Sequence, residues 1–179
     1  MERVSIFVDM YNFLNSSSEY LKQKSYIDFS KFQEHFITPN TQIFSKTYIY
    51  GGKSLGKMLD KLASYPRIDI IRGEVGIDDT EKGTDVNLAV GMLTKAFHNT
   101  YDVGILLSGD RDYIKLIRQL RRMGKIIIIA VPDGKPLADA QKLINAADGH
   151  IVLNEEFYKK YWLKDIYGEY TSKINDIVE

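Results

Sequence analysis

Apolar positions along the chain change their period several times, and each change marks an element. Residues 4–8 form a short apolar, β-branched run that ends on Asp9, the pattern of a strand. Residues 10–24 then place Tyr11, Leu14 and Leu21 on a loose helical face. Asp28 stands as an N-cap before a helix over 29–36, where Phe29, Phe32 and Phe36 recur. Residues 42–50 alternate through Ile43, Ser45, Thr47 and Ile49 and predict a strand closed by Gly51 and Gly52. Ser54 can cap a helix carrying Leu55, Met58, Leu59 and Leu62, which Pro66 breaks, and 68–75 returns as a strand.

The second half is more regular. Residues 76–84 are polar and glycine-punctuated, a loop expected to lie over a site. A long helix over 84–98 should turn Val86, Ala89, Val90, Leu93 and Phe97 inward. Residues 103–107 are continuously apolar, a strand buried on both faces, and a helix follows with Tyr113, Ile114, Ile117 and Leu120 on one side. Gly124 ends it as a C′ glycine. A strand over 125–131, a turn over 132–136, a helix over 137–147, a strand over 150–153 and a helix over 155–162 complete the series.

Strands without alternation, separated by helices, predict an α/β fold: a central parallel sheet covered by helices on both faces. Right-handed crossovers put the carboxyl ends of the strands on one edge. If the strand order reverses after the third strand, the first strand and 103–107 become neighbours. Asp9, Asp110 and Asp112 then converge at the switch point, where such sheets bind ligands.

Composition narrows the chemistry mainly by exclusion. Lysine plus arginine and aspartate plus glutamate both number 24, so a polyanion could be met only by a local patch. The absence of cysteine removes thiolate nucleophiles, disulfides and zinc–cysteine sites. His35, His98 and His150 lie beside no nucleophile motif, and no P-loop or dinucleotide fingerprint is present. No apolar run is long enough to span a bilayer and no signal peptide is read at the start, so the expectation is a cytoplasmic protein without membrane contact.

Four aspartates remain as candidates: Asp9, Asp85, Asp110 and Asp112. Each has an ordinary reading. Ser108 or Asp110 can cap the following helix, Asp85 suits a helix start through the macrodipole, and Asp9 suits a turn. Capping needs one residue, however, and 108–112 supplies three. Carboxylates brought together repel one another and demand protons or a cation. An all-oxygen set suits Mg²⁺ or Mn²⁺, whose characteristic work is on phosphate oxygens.

Three segments carry a resemblance: Phe7-Val-Asp-Met-Tyr-Asn12, Lys82-Gly-Thr-Asp-Val-Asn87 and Leu107-Ser-Gly-Asp-Arg-Asp112. In this order they resemble the signature segments of the NYN domain family, of the PIN-like nuclease group and related to LabA-like proteins, over roughly residues 1–152. The resemblance implies a PIN-like (Rossmannoid) three-layer α/β/α sandwich, a divalent-metal site and ribonuclease activity. It makes Asp9, Asp85, Asp110 and Asp112 the metal ligands and catalytic set. Asn12 would help position substrate, and Ser108 would hold the turn or contact the water shell of the ion. The family also includes members that bind or regulate, so an RNA-binding module with little turnover stays open, as does a hydrolase of DNA or small phosphoesters.

Candidate substrate contacts follow the basic residues. Lys82 either meets the scissile phosphate or is a solvated loop charge. Lys53 follows a glycine pair at a strand end, with Lys46, Lys57 and Lys61 nearby. Arg111, Arg118, Arg121 and Arg122 lie on and after the helix that begins at the site. Either group can be plain solvation. Tyr11 and Tyr50 either pack on the sheet margin or stack on bases, which would favour single-stranded RNA. A domain over 1–153 is expected, with 154–179 as an aromatic helix and tail that packs on it or forms a homodimer contact.

Overall fold

A computed structural model describes residues 1–23, 27–52, 55–75 and 81–161. Six parallel strands form one sheet in the order β3-β2-β1-β6-β7-β8. These are β1 (Glu2–Asp9), β2 (Gln42–Gly51), β3 (Ile68–Arg72), β6 (Val103–Leu107), β7 (Ile126–Pro132) and β8 (Gly149–Leu153). The chain lays down β1, moves outward through β2 and β3, then returns to place β6 against the other side of β1. The reversal after the third strand is therefore present, and β1 pairs with β6 in register from Val4–Val103 to Val8–Leu107.

Alternation within the central strands divides the core in two. Val4, Ile6 and Val8 of β1, with Val103, Ile105 and Leu107 of β6, face one cluster. That side is covered by α1 (Met10–Leu21), α2 (Gly56–Leu62) and α7 (Glu155–Tyr161). Phe7, Leu106, Ile127 and Ile129 face the other, beneath α3 (Thr84–Phe97), α4 (Ile114–Arg122) and α6 (Gln141–Ile144). Both faces are apolar because both are covered, which is why the strands read as continuous apolar runs. The result is a three-layer α/β/α sandwich. Phe157, Tyr158 and Tyr161 of α7 are buried against the first cluster, and the Tyr158 hydroxyl meets Ser17 of α1 at 2.7 Å. Trp162 and the residues after it lie outside the described residues.

Several expectations need correction. The helix expected over 29–36 is a 3-10 turn, Phe32–His35, although Phe29, Phe32 and Phe36 are all buried. Short-range bonds such as Phe32 N–H to the Asp28 carbonyl and Phe36 N–H to the Gln33 carbonyl hold the turn, and the three rings pack edge to face. The strand expected over 68–75 ends at Arg72, and Glu74–Val75 (β4) pairs antiparallel with Glu81–Lys82 (β5) as a separate hairpin. The remaining loop residues, 76–80, and Ser54 fall outside the described residues. The helix expected over 137–147 is two short pieces, α5 (Lys135–Asp139) and α6, the first entering through Pro136 within the supposed turn. Proline near a helix start is favourable because its missing N–H has no intrahelical partner to lose there.

The largest correction concerns α3. Val86, Val90 and Phe97 face solvent, while Thr84, Leu88, Met92 and Ala96 are buried. Both stripes are apolar, so periodicity does not choose between them. Gly91 does: a Cβ there would collide with the hydroxyl of buried Tyr50. Only glycine lets the helix approach so closely, and turning Gly91 inward carries Leu88 and Met92 with it.

Candidate active site

The carboxyl ends of β1 and β6 diverge into α1 and the α4 segment, and Asp9 and Asp85 meet there across the Tyr113 hydroxyl. Asp9 is the last residue of β1 and also the N-cap of α1, its Oδ1 accepting the Asn12 N–H at 3.1 Å. It is 3% exposed. Its Oδ2 accepts from the Tyr113 hydroxyl at 3.1 Å and from Ser108 Oγ at 3.4 Å. Asp85 arrives from the opposite direction, in the first turn of α3, which Gly83 enters with a φ of +90°. That left-handed value favours the glycine in the Lys82-Gly-Thr-Asp stretch. The Tyr113 hydroxyl also lies 3.1 Å from Asp85 Oδ1, so one phenol oxygen bridges the two carboxylates.

A phenol has one proton and can donate it to only one of them. Asp9 is buried and Asp85 exposed, so at any moment the phenol leaves one of the two carboxylates to water or another ligand. Burial pushes the Asp9 carboxyl above the usual aspartate range, and the nearby Asp85 charge adds to the effect. The hydrogen bonds from Asn12, Tyr113 and Ser108 act in the opposite direction without cancelling it. Burial and the two carboxylates also hold the proton firmly on Tyr113. Beside Asp85, the Thr84 hydroxyl is buried and has no hydrogen-bond partner among the described residues.

The neighbouring turns lock this geometry. Asn12 Oδ1 accepts from the Gly109 N–H at 2.8 Å, tying the first turn of α1 to the end of β6. Ser108 Oγ accepts from the Asp110 N–H at 3.2 Å while facing Asp9. Asp110 caps the short 3-10 turn Arg111–Tyr113, its Oδ1 accepting from the Asp112 N–H at 2.9 Å. Asp9 and Asp110 thus each cap the element that follows them, the ordinary role open to both. Asp112 and Arg111 are exposed at the rim.

The structure therefore joins Asp9, Asp85, Ser108 and Asn12 directly, with Asp110 one hydrogen bond further out. Among the described residues no group of three or more acidic or histidine side chains comes together as a preformed metal cage. What is present nevertheless fits a hard divalent ion, because Mg²⁺ is commonly held by one or two carboxylates with water and phosphate completing its shell. Lys53 lies outside the described residues, as does the side chain of Lys82, whose backbone pairs in β5. Tyr50 does not offer a stacking face, being 1% exposed beneath α3. Lys46 is ion-paired with Asp69 at 2.9 Å.

Two contributors escaped the sequence reading. Tyr113 counted there only as an apolar helix position; its ring is buried as expected, while its hydroxyl reaches the carboxylates. Its place directly after the last signature aspartate is the signal that was available. Thr84, next to Asp85, gave no signal that separates it from an ordinary helix-start threonine.

Comparison with known proteins agrees with this architecture. A crystal structure of a protein of unknown function from Vibrio parahaemolyticus superposes with a TM-score of 0.66, covering 90% of this chain and 96% of that one at 20% identity. At that identity the likeness concerns the fold. No curated protein matches the sequence. No helix among the described residues is long and apolar enough to cross a membrane. The family model for the NYN domain matches residues 3–154, nearly the whole sheet and its three signature segments. The chain belongs to the NYN domain family.

Proposed function

We propose that this protein is a divalent-metal-dependent endoribonuclease that hydrolyses phosphodiester bonds of single-stranded RNA, centred on Asp9 and Asp85. The observation that carries the reading is the shared phenol: two carboxylates meet one proton at the switch point of a parallel sheet. A buried uncompensated charge is costly, and a fold keeps one where a ligand relieves it. Asp9 and Asp85 would hold Mg²⁺ or Mn²⁺, with Ser108, Thr84, Asp110 and Asp112 at the margin. When bound, the ion supplies a more acidic water and positive charge beside the phosphate.

The chain's own residues do the positioning. Tyr113 keeps the two carboxylates in reach of each other, and Asn12 and Ser108 fix the turn that carries Asp110. Asp110 and Asp112 stand on the solvent side, where substrate arrives. Arg111 at the rim, with Lys82 of β5 and Lys53 by their sequence positions, are the cations we assign to substrate phosphates.

The test is cleavage of end-labelled single-stranded RNA with Mg²⁺ or Mn²⁺, with and without EDTA, by wild type, Asp9→Asn and Asp110→Asn. Metal-dependent cleavage lost in Asp9→Asn supports the reading; undiminished cleavage by that variant overturns it. A panel of single-stranded DNA and small phosphoesters fixes the substrate class. A second reading is an RNA-binding module with little turnover, for which the exposed cations Arg111, Lys115, Arg118 and Arg122 beside the site speak. RNA binding without metal-stimulated cleavage of any substrate would select it.

A further inference from the structure

The sequence is neutral overall, yet its positive charge is unevenly placed. From Arg111 to Lys125 there are six cations, Arg111, Lys115, Arg118, Arg121, Arg122 and Lys125, against one carboxylate, Asp112. On the folded helix the spacing 111, 115, 118, 122 places four of them along one face, and all four are exposed. None of these four has an ion pair or side-chain hydrogen bond among the described residues. Several surface cations elsewhere are paired, Arg3 with Asp102, Lys46 with Asp69, Arg72 with Asp60 and Lys135 with Glu19, while others such as Lys22 and Lys31 stand singly rather than in a row. An ordinary solvated helix intersperses opposite charges at these spacings, whereas like charges three and four residues apart weaken it. The α4 face bears that penalty along its whole length.

The stripe has a direction. It starts at Arg111, two residues before the Tyr113 hydroxyl that bridges Asp9 and Asp85. It ends about 16 Å away, at the usual helical rise, in an open groove of about 390 Å³ lined by Arg118, Arg121, Arg122, Lys125 and Asp148. Arg121 is committed there, bonded to Asp148 Oδ1 at 2.8 Å and to the Ala146 carbonyl at 3.0 Å. Lys125 is nearly buried, held by Asn99 Oδ1 at 2.6 Å over the Tyr101 ring. The groove thus has a fixed, cationic floor, and Arg118 and Arg122 are its free donors.

We propose that the outer face of α4 is a track for the sugar–phosphate backbone of single-stranded RNA, leading from the acidic edge to the groove beside the start of β7. The polarity of the track, from a cutting site outward, rests on the nuclease reading above; the binding surface itself does not. Guanidinium groups without partners are suited to phosphate oxygens, which they can engage through paired N–H donors.

The experiment measures binding of a fluorescein-labelled 15-nucleotide RNA by anisotropy in EDTA, where no metal-dependent cleavage occurs. The test variant is Lys115→Gln/Arg118→Gln/Arg122→Gln. The control, Lys22→Gln/Lys31→Gln/Lys159→Gln, removes equal charge from the opposite helical layer. All six side chains are exposed, so both proteins should fold, which circular dichroism verifies. Each phosphate contact on a single strand contributes about 0.7 to the slope of log affinity against log salt, so losing three lowers the slope by about 2. The expected result is that drop together with at least tenfold weaker binding at low salt, and little change in the control. Unchanged affinity and slope in the α4 variant, equal losses in both variants, or wild-type binding to anionic vesicles but not to RNA would overturn the track. Absence of metal-dependent cleavage by wild type would overturn the nuclease reading while leaving this binding result to stand or fall by itself.

Discussion

The two central strands, β1 and β6, treat a carboxylate in opposite ways at their two ends. At the amino end, Asp102 just before β6 receives the Arg3 guanidinium through Nε at 3.0 Å and Nη2 at 2.7 Å, and the Arg3 backbone N–H at 2.8 Å. These bonds pull the Asp102 carboxyl down to about 2. At the carboxyl end, Asp9 receives only an amide, a phenol and a hydroxyl, and burial pushes its carboxyl upward. One end holds its carboxylate against a guanidinium, while the other holds its carboxylate without any cation among the described residues. The difference separates a carboxylate that joins two strands from the one to which we assign chemistry.

Breaking the uncompensated end should have the largest effect. Asp9→Asn and Asp85→Asn are each expected to lower RNA cleavage by about a hundredfold or more, because the carboxylates assigned to the ion are lost; a single-turnover assay measures it. The same Asp9→Asn change should make the fold more stable at neutral pH in EDTA. The sign follows from linkage: a group whose folded pKa is raised contributes most below the ordinary aspartate value, and that contribution is lost as pH rises through the folded one. The amide removes that loss while keeping an N-cap for α1, whereas Asp9→Ala also forfeits the cap, about 1 kcal/mol. Thermal melts should therefore rank Asn above Ala.

Smaller effects sharpen the contrast. Gly91→Ala should cost about 1–3 kcal/mol by overpacking, since the new methyl meets the Tyr50 hydroxyl. Tyr50→Phe in the same chain should restore most of the melting temperature. Displacing α3 also moves Asp85, so cleavage should fall and recover with it. Asp102→Asn should cost only about 1 kcal/mol, the worth of a partly exposed ion pair, a melting shift of roughly 2–4 °C. Because the Asp102 carboxyl is depressed, that contribution is present above the ordinary aspartate range and is lost as pH falls toward 2. Cleavage at 25 °C should not change in Asp102→Asn, in contrast to Asp9→Asn.

The sheet was legible because its strands carry uninterrupted apolar runs, and the reversal followed from asking why two of them end in aspartate. Asp9 and Asp85 were legible for the same reason, as acidic residues where strands end and helices begin. Their dependence on Tyr113 was not, since a tyrosine on an apolar helix face reads as packing, and only three dimensions bring its hydroxyl to both carboxylates. The rotation of α3 was hidden because Val86, Val90 and Phe97 make as good a stripe as Leu88, Met92 and Ala96. What decides between them is one methyl group's worth of space between Gly91 and Tyr50, two residues on different elements. The basic stripe was visible as composition, but its lack of partners is a property of the folded surface.

The most direct test of the account is titration of Mn²⁺ into the folded protein by calorimetry at pH 7, for wild type, Tyr113→Phe and Asp9→Asn. The account predicts saturable binding to wild type, retained in Tyr113→Phe because both carboxylates remain, and lost in Asp9→Asn. Equal affinity for wild type and Asp9→Asn, or no binding by folded wild type, would contradict the claim that these two aspartates are waiting for a cation.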